Sequence, residues 1–195
     1  MEPLILALVL GVTGMSKPHS HKNEVGLRDT TILIIRHAEK PELGSDLSPQ
    51  GERRAEAYVQ YFSDFKADGK PLHLGYLIAA ADSKQSQRPR LTLTPLSKAL
   101  GLKINTKIED KDYPAVAEEL RTKAHGRTVL VCWHRGTIPE LVEALGADPL
   151  ELLPGGKWPL DQFAWVIQLR YDHEGKLIPQ ETKRIEQHLL PEDGR

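Results

Sequence analysis

The stretch Thr31-Ile32-Leu33-Ile34-Ile35-Arg36-His37-Ala38-Glu39 decides the fold. Five mostly β-branched residues in a row, four of them apolar and without alternation, suit a short strand buried on both faces, as in a parallel sheet covered by helices. The run ends on Arg36 and His37, which the strand delivers into a loop. Ser48-Pro49 supplies a helix N-cap with proline at the first helical position, and Ala55, Tyr58, Val59 and Phe62 then recur at helical spacing. The spacing predicts a helix from Pro49 to Phe65.

Further along, Tyr76 to Ala80 reads as a second strand, followed by the polar segment Asp82 to Gln87 and a helix over Arg88 to Leu100 with a local irregularity at Pro95. Ala115 to Ala124 is a weaker helix. Thr128 to Trp133 is another apolar strand, and Pro139 to Leu145 is a helix ended by Gly146. Phe163 to Arg170 alternates, and Lys176 to Ile185 is expected to pair with it as a hairpin across the turn Asp172 to Gly175. The order β-α-β-α-α-β-α-β-β predicts a three-layer α/β/α sandwich: a mostly parallel central sheet, helices on both faces, and an antiparallel strand at the edge.

The 195 residues, 39% of them hydrophobic, suffice for one buried core. A single domain over 30–195 is expected, preceded by an apolar segment and a polar lead-in over 1–29. Lysine and arginine number 26 against 27 acidic residues, a net charge of −1. No overall field draws such a chain to nucleic acid or to an anionic membrane, so neither partner is expected and anion recognition must be local. The lone Cys132 lies in an apolar strand and cannot form an internal disulfide. Pro3 to Val12 is apolar and of signal-peptide rather than membrane-spanning length, but Met1-Glu2 lacks the usual positive charge. The chain is exported if Met1 to Gly14 is a signal peptide, and cytoplasmic otherwise. His19-Ser20-His21, two histidines without a third ligand, is read as part of a polar tail and not as a metal site.

Ligands of such sheets bind outside the carboxyl ends of the strands. Three strand ends carry the chemistry: Arg36-His37, the loop leading to Arg88, and His134-Arg135-Gly136 after Trp133. Arginine forks match the oxygens of a phosphoryl group, so Arg36 and Arg88 are candidate clamps. A neutral imidazole whose other nitrogen is held as a donor is a competent nucleophile, which assigns the attack to His37 and charge stabilisation to His134. Arg90 lies close to Arg88 and is its rival on the helix. Arg135 and Lys40 are candidate further substrate contacts, or solvated charges. Trp158, in Gly155-Gly156-Lys157-Trp158-Pro159, is the tryptophan expected to reach the site.

These segments together resemble the histidine phosphatase superfamily, the phosphoglycerate-mutase-like proteins. The opening Arg-His-Gly/Ala motif stands as Arg36-His37-Ala38, and the helix start as Leu47-Ser48-Pro49-Gln50-Gly51-Glu52-Arg53-Arg54-Ala55. The second arginine, four before a threonine, is Arg88 with Thr92, and the second histidine is His134. The resemblance covers about Thr30 to Tyr171. It implies phosphoryl transfer through a phosphohistidine, with no metal or other cofactor, and an acid that protonates the leaving oxygen. Glu109, Asp110 and Asp112 are candidates for that acid, with Glu39 and Asp161 behind them; the His-Asp pair of one branch is replaced by His134-Arg135. The activity implied is that of a histidine-type acid phosphatase on a small phosphorylated substrate or a phosphoprotein. A phosphomutase and a non-catalytic phosphate- or phosphoprotein-binding domain are the alternatives.

Overall fold

The computed structural model describes residues 26–194. Strands β1 (Thr31–Arg36), β4 (Leu74–Ala79), β6 (Thr128–Trp133) and β7 (Trp165–Arg170) form the body of a six-stranded sheet. The two-residue β5 (Ile104–Asn105) lies at one edge and β8 (Lys183–Glu186) at the other. The spatial order is β5-β4-β6-β1-β7-β8. From β5 to β1 the pairs are parallel, whereas β7 runs antiparallel to β1 and β8 antiparallel to β7. A separate ribbon pairs β2 (Lys66–Ala67) with β3 (Lys70–Pro71) across Asp68 and Gly69, both at positive φ.

Alternation along β1 divides the apolar run between two layers. Ile32 and Ile34 face one core, joined there by Val116 and Leu120 of α3 (Tyr113–Lys123) and by Leu141 and Val142 of α4 (Ile138–Ala144). Leu33 and Ile35 face the other, with Tyr58 and Phe62 of α1 (Pro49–Ser63) and Leu93 and Leu96 of α2 (Arg88–Leu100). Full burial of each such side chain stabilises by about 1.5–3 kcal/mol, which is why this continuous run takes the centre of the sheet. The short helix α5 (Pro149–Leu152) completes the set. The three-layer α/β/α sandwich is as the pattern predicts, with a mostly parallel sheet.

Three local expectations are corrected. Lys176 to Ile185 is not one strand: Pro179 to Glu181 form a 3₁₀ turn, and only Lys183–Glu186 pair with β7. Proline at 179 removes a ladder donor and forces the detour. The antiparallel part of the sheet is consequently β7 and β8 together, with β7 in the interior. The lead-in also ends earlier than Asp29, since Leu27 is buried in the core and the Asp29 amide donates to Asp172 at 2.9 Å. The apolar segment at Pro3 to Val12 and the His19-Ser20-His21 motif lie outside the described residues. No helix among the described residues is long and apolar enough to cross a membrane.

Candidate active site

Parallel neighbours with aligned ends place their following residues side by side. Arg36 is in register with Trp133, and the His37 amide donates to the Trp133 carbonyl at 3.0 Å. His37 and His134 therefore leave adjacent strands together, with ring centroids 5.0 Å apart and edge to face. Nδ1 of His37 lies 2.8 Å from the Ala38 carbonyl. A carbonyl only accepts, so Nδ1 carries the proton and Nε2 is left with its lone pair. Burial, with the nearby His134, Arg36 and Arg88 reinforcing it, brings the pKa of His37 down to about 3, against the partial support of the Ala38 carbonyl. The ring is neutral at neutral pH.

Arg36 is buried, and Nη1 donates to the carbonyls of Leu160 at 2.7 Å, Gln162 at 2.9 Å and Pro159 at 3.4 Å. Its guanidinium carbon stacks 3.7 Å from the centroid of Phe163. The loop before β7 reaches Arg36 because β7 runs antiparallel: its first residues lie beside the last residues of β1. Burial and the neighbouring Arg135 lower the Arg36 pKa to about 10, so it stays a cation. Arg88, at the start of α2, donates to the Gly44 and Gln85 carbonyls, each at 3.2 Å. The buried Nε–H groups of Arg36 and Arg88 have no hydrogen-bond partner among the described residues. Arg90, the rival on the same helix, turns away to Asp82 at 2.8 Å and Gln87 at 2.8 Å.

Arg88 and His134 share a cleft with Glu109, Asp110, Ser83 and Ser86. Asp110 is anchored twice over: its carbonyl accepts the Trp133 indole N–H at 3.1 Å, and its carboxylate accepts the Thr137 hydroxyl. Burial lowers the pKa of His134, and Asp110 acts against that by favouring the charged ring. Glu109 and Asp110 are thus the candidate acids that the fold brings to His134 and Arg88. Asp112 is exposed at the start of α3 and lines no part of this cleft; its carbonyl accepts the Ala115 amide at 3.0 Å. Glu39 is buried with both oxygens engaged by the Arg54 guanidinium, at 2.6 to 3.1 Å. Asp161 is exposed in the loop before β7, and its charge favours the cationic form of Arg36.

Lys40 is exposed and lines a second cleft with Arg36, Leu160 and Phe163. Arg135 is exposed but near enough to act on Arg36. Trp158 does not reach the site. It is buried against Trp165 with centroids 5.8 Å apart, and its N–H donates to the Gln162 carbonyl at 2.9 Å, so it braces from beneath the loop that holds Arg36. Two groups escaped the reading from sequence. The Thr92 hydroxyl joins the loop after His37 to α2, and Arg54 joins Glu39 to Asp193. Both lie inside the quoted motifs, which was the available signal.

No family model matches the chain, and no curated protein sequence matches it. Solved structures do. A protein from Agrobacterium tumefaciens assigned as the phosphohistidine phosphatase SixA aligns over 77% of this chain and 96% of its own, at 19% identity and a TM-score of 0.53. Phosphoserine phosphatase from Entamoeba histolytica, solved with 3-phosphoglyceric acid, aligns over 83% of this chain and 100% of its own, at 13% identity and a TM-score of 0.53. At such identities the likeness speaks for the fold alone.

Proposed function

We propose that the protein hydrolyses phosphomonoesters through a covalent phosphohistidine on His37. The observation that carries this is the 2.8 Å contact between His37 Nδ1 and the Ala38 carbonyl, which leaves Nε2 unprotonated beside Arg36, Arg88 and His134. The unpartnered Nε–H groups of the two arginines point the same way. A buried donor left unsatisfied costs about 1–3 kcal/mol, and a phosphoryl oxygen is an acceptor that would relieve the cost.

In the first step the Nε2 lone pair forms a bond to phosphorus while the ester P–O bond breaks. The alkoxide leaves with its electron pair and takes a proton from an acid, the candidates being Glu109 and Asp110. Arg36, Arg88 and a donating His134 stabilise charge on the transferring oxygens. In the second step water attacks phosphorus, the P–N bond breaks, and Nε2 regains its lone pair as inorganic phosphate departs. The carboxylate that gave its proton takes one back from the water. A small phosphorylated metabolite and a phosphoprotein both fit this chemistry; the two proteins of like fold carry the names of phosphatases for phosphohistidine and for phosphoserine.

The test is to incubate the purified chain with p-nitrophenyl phosphate and with 3-phosphoglycerate, quench early, and look for acid-labile phosphoprotein. Release of inorganic phosphate and a phosphohistidine absent from His37→Ala are expected. Isomerisation of phosphoglycerate without phosphate release would instead establish a mutase. Phosphate binding with no phosphoprotein would establish a binding domain.

A further inference from the structure

Two residues beyond the nucleophile, the chain is fastened by a group far away in sequence. Arg54 on α1 donates from Nε and Nη2 to Glu39, at 2.6 to 3.1 Å. The same guanidinium donates to both oxygens of Asp193, from Nη2 at 2.6 Å and Nη1 at 3.0 Å. Asp193 belongs to the 3₁₀ turn Pro191–Gly194 after β8, and one of its oxygens also accepts the Leu189 and Leu190 amides at 3.0 Å each. All three side chains are buried, at 2%, 10% and 3% exposure for Arg54, Glu39 and Asp193. One cation thus lies between two carboxylates, each bound bidentately.

A buried ion pair is weak as a source of stability, since desolvation offsets much of the attraction. What it supplies is geometry, because planar forks fix both partners in direction as well as distance. Here the fixed partner is the loop of the nucleophile. The Glu39 carbonyl accepts the Ser48 amide at 2.9 Å, and a side-chain carbon at Gly51 would come within 2.4 Å of that same oxygen, so α1 presses on the loop from beneath.

We propose that Asp193 is a positioning residue for the reaction at His37, acting through Arg54 and Glu39 to hold the nucleophile's loop in its attacking position. The proposal rests on the reading of His37 as nucleophile. It makes Glu39 a tether and not the proton donor, and it makes the turn after β8 part of the machinery although it touches no substrate. Asparagine at 193 keeps the size but turns one acceptor into a donor, which must face either Arg54 or the Leu189 and Leu190 amides, all of them donors themselves. A misplacement of 1 Å at a reacting group costs on the order of 100-fold.

The experiment compares wild type with Asp193→Asn and Asp193→Glu in the full chain, by steady-state hydrolysis of p-nitrophenyl phosphate and by amide hydrogen exchange. The expected result for Asp193→Asn is a kcat lower by about 10–100-fold with KM little changed. Exchange should quicken in residues 37–48 while β6 and α3 keep wild-type protection, and Asp193→Glu should recover most of both. Unchanged exchange in 37–48, or exchange quickened evenly through β1, β6 and α3, would overturn the proposal. A wild type that hydrolyses nothing, with exchange in 37–48 still quickened by Asp193→Asn, would overturn the phosphatase reading and leave the tether standing.

Discussion

The hydroxyl of Thr92 accepts the Ala38 amide at 2.9 Å while donating to the Arg88 carbonyl at 2.8 Å. One fully buried side chain therefore links the residue after His37 to the first residue of the arginine-bearing helix. Thr92→Val keeps the shape and orphans the Ala38 N–H, at about 1–3 kcal/mol. The expected outcome is a comparable loss in chemical-denaturant stability together with a lower kcat, and Thr92→Ser should restore both. A Val variant of wild-type activity would show that the loop holds its position without this bond.

Arg88 and Arg90 differ by one half-turn of helix and should differ widely in effect. Arg88→Ala removes a phosphate donor, and a charge-assisted hydrogen bond contributes about 1.5–3 kcal/mol, so kcat/KM should fall by roughly 10–150-fold. Arg90→Ala breaks a half-exposed pair with Asp82 and should stay within about fivefold, since such pairs contribute about 0–1 kcal/mol. Steady-state kinetics on both variants checks this. Equal losses would mean that the clamp had been assigned to the wrong arginine.

The depressed pKa of His37 has a stability signature of definite sign. The folded group titrates near 3 and the unfolded one near 6.5, so between those values the unfolded chain binds the extra proton. Stability from this residue is complete above pH 6.5 and declines as pH falls, by up to about 1.4 kcal/mol per pH unit. His134 is shifted in the same direction and adds to the slope. Denaturation series from pH 7 to 4 should show a shallower decline for His37→Gln than for wild type. Parallel curves would sink the assignment of a neutral, buried ring.

Gly51 lies where α1 meets the loop after His37, and a methyl there would sit 2.4 Å from the Glu39 carbonyl oxygen. That oxygen is backbone and cannot swing aside, so Gly51→Ala should cost about 1–3 kcal/mol despite alanine's higher helix propensity. Thermal melts measure the first part of the effect. The second is a drop in turnover that Arg53→Ala, an exposed neighbour on the same helix, should not share.

The choice of acid can be read from leaving-group dependence. An acid contributes about 10²–10⁴-fold where the leaving oxygen is basic and little where it is not. Asp110→Asn or Glu109→Gln, whichever holds the proton, should slow an alkyl phosphate far more than p-nitrophenyl phosphate. Equal slowing of both substrates by both variants would exclude the pair.

What could be read from the sequence was whatever local pattern determines. β1, β6 and α1 announce themselves by an unbroken apolar run or by a cap with helical spacing, and their ends carry His37, His134 and the arginines. β5 pairs through only Ile104 and Asn105, too few residues for periodicity to register. The antiparallel entry of β8 after a proline detour depends on which strand it meets. Trp158 misled because a tryptophan in a glycine-rich loop looks the same whether it faces solvent or core. Arg54, Glu39 and Asp193 were invisible as a unit, since a separation of 139 residues between the helix and the final turn leaves no local trace.

The reversed direction of β7 carries a consequence for how such a rim diversifies. The proposed chemistry draws on His37, Arg88 and His134, which follow β1, β4 and β6, and so constrains the length of those connections. The segment preceding β7 meets Arg36 with the Phe163 ring and with main-chain oxygens of Pro159, Leu160 and Gln162, and oxygens are common to every amino acid. The Leu160 side chain, at 66% exposure, is free to be exchanged for others while the cation beneath remains seated. The lip can thus change its outward chemistry without disturbing Arg36 or His37.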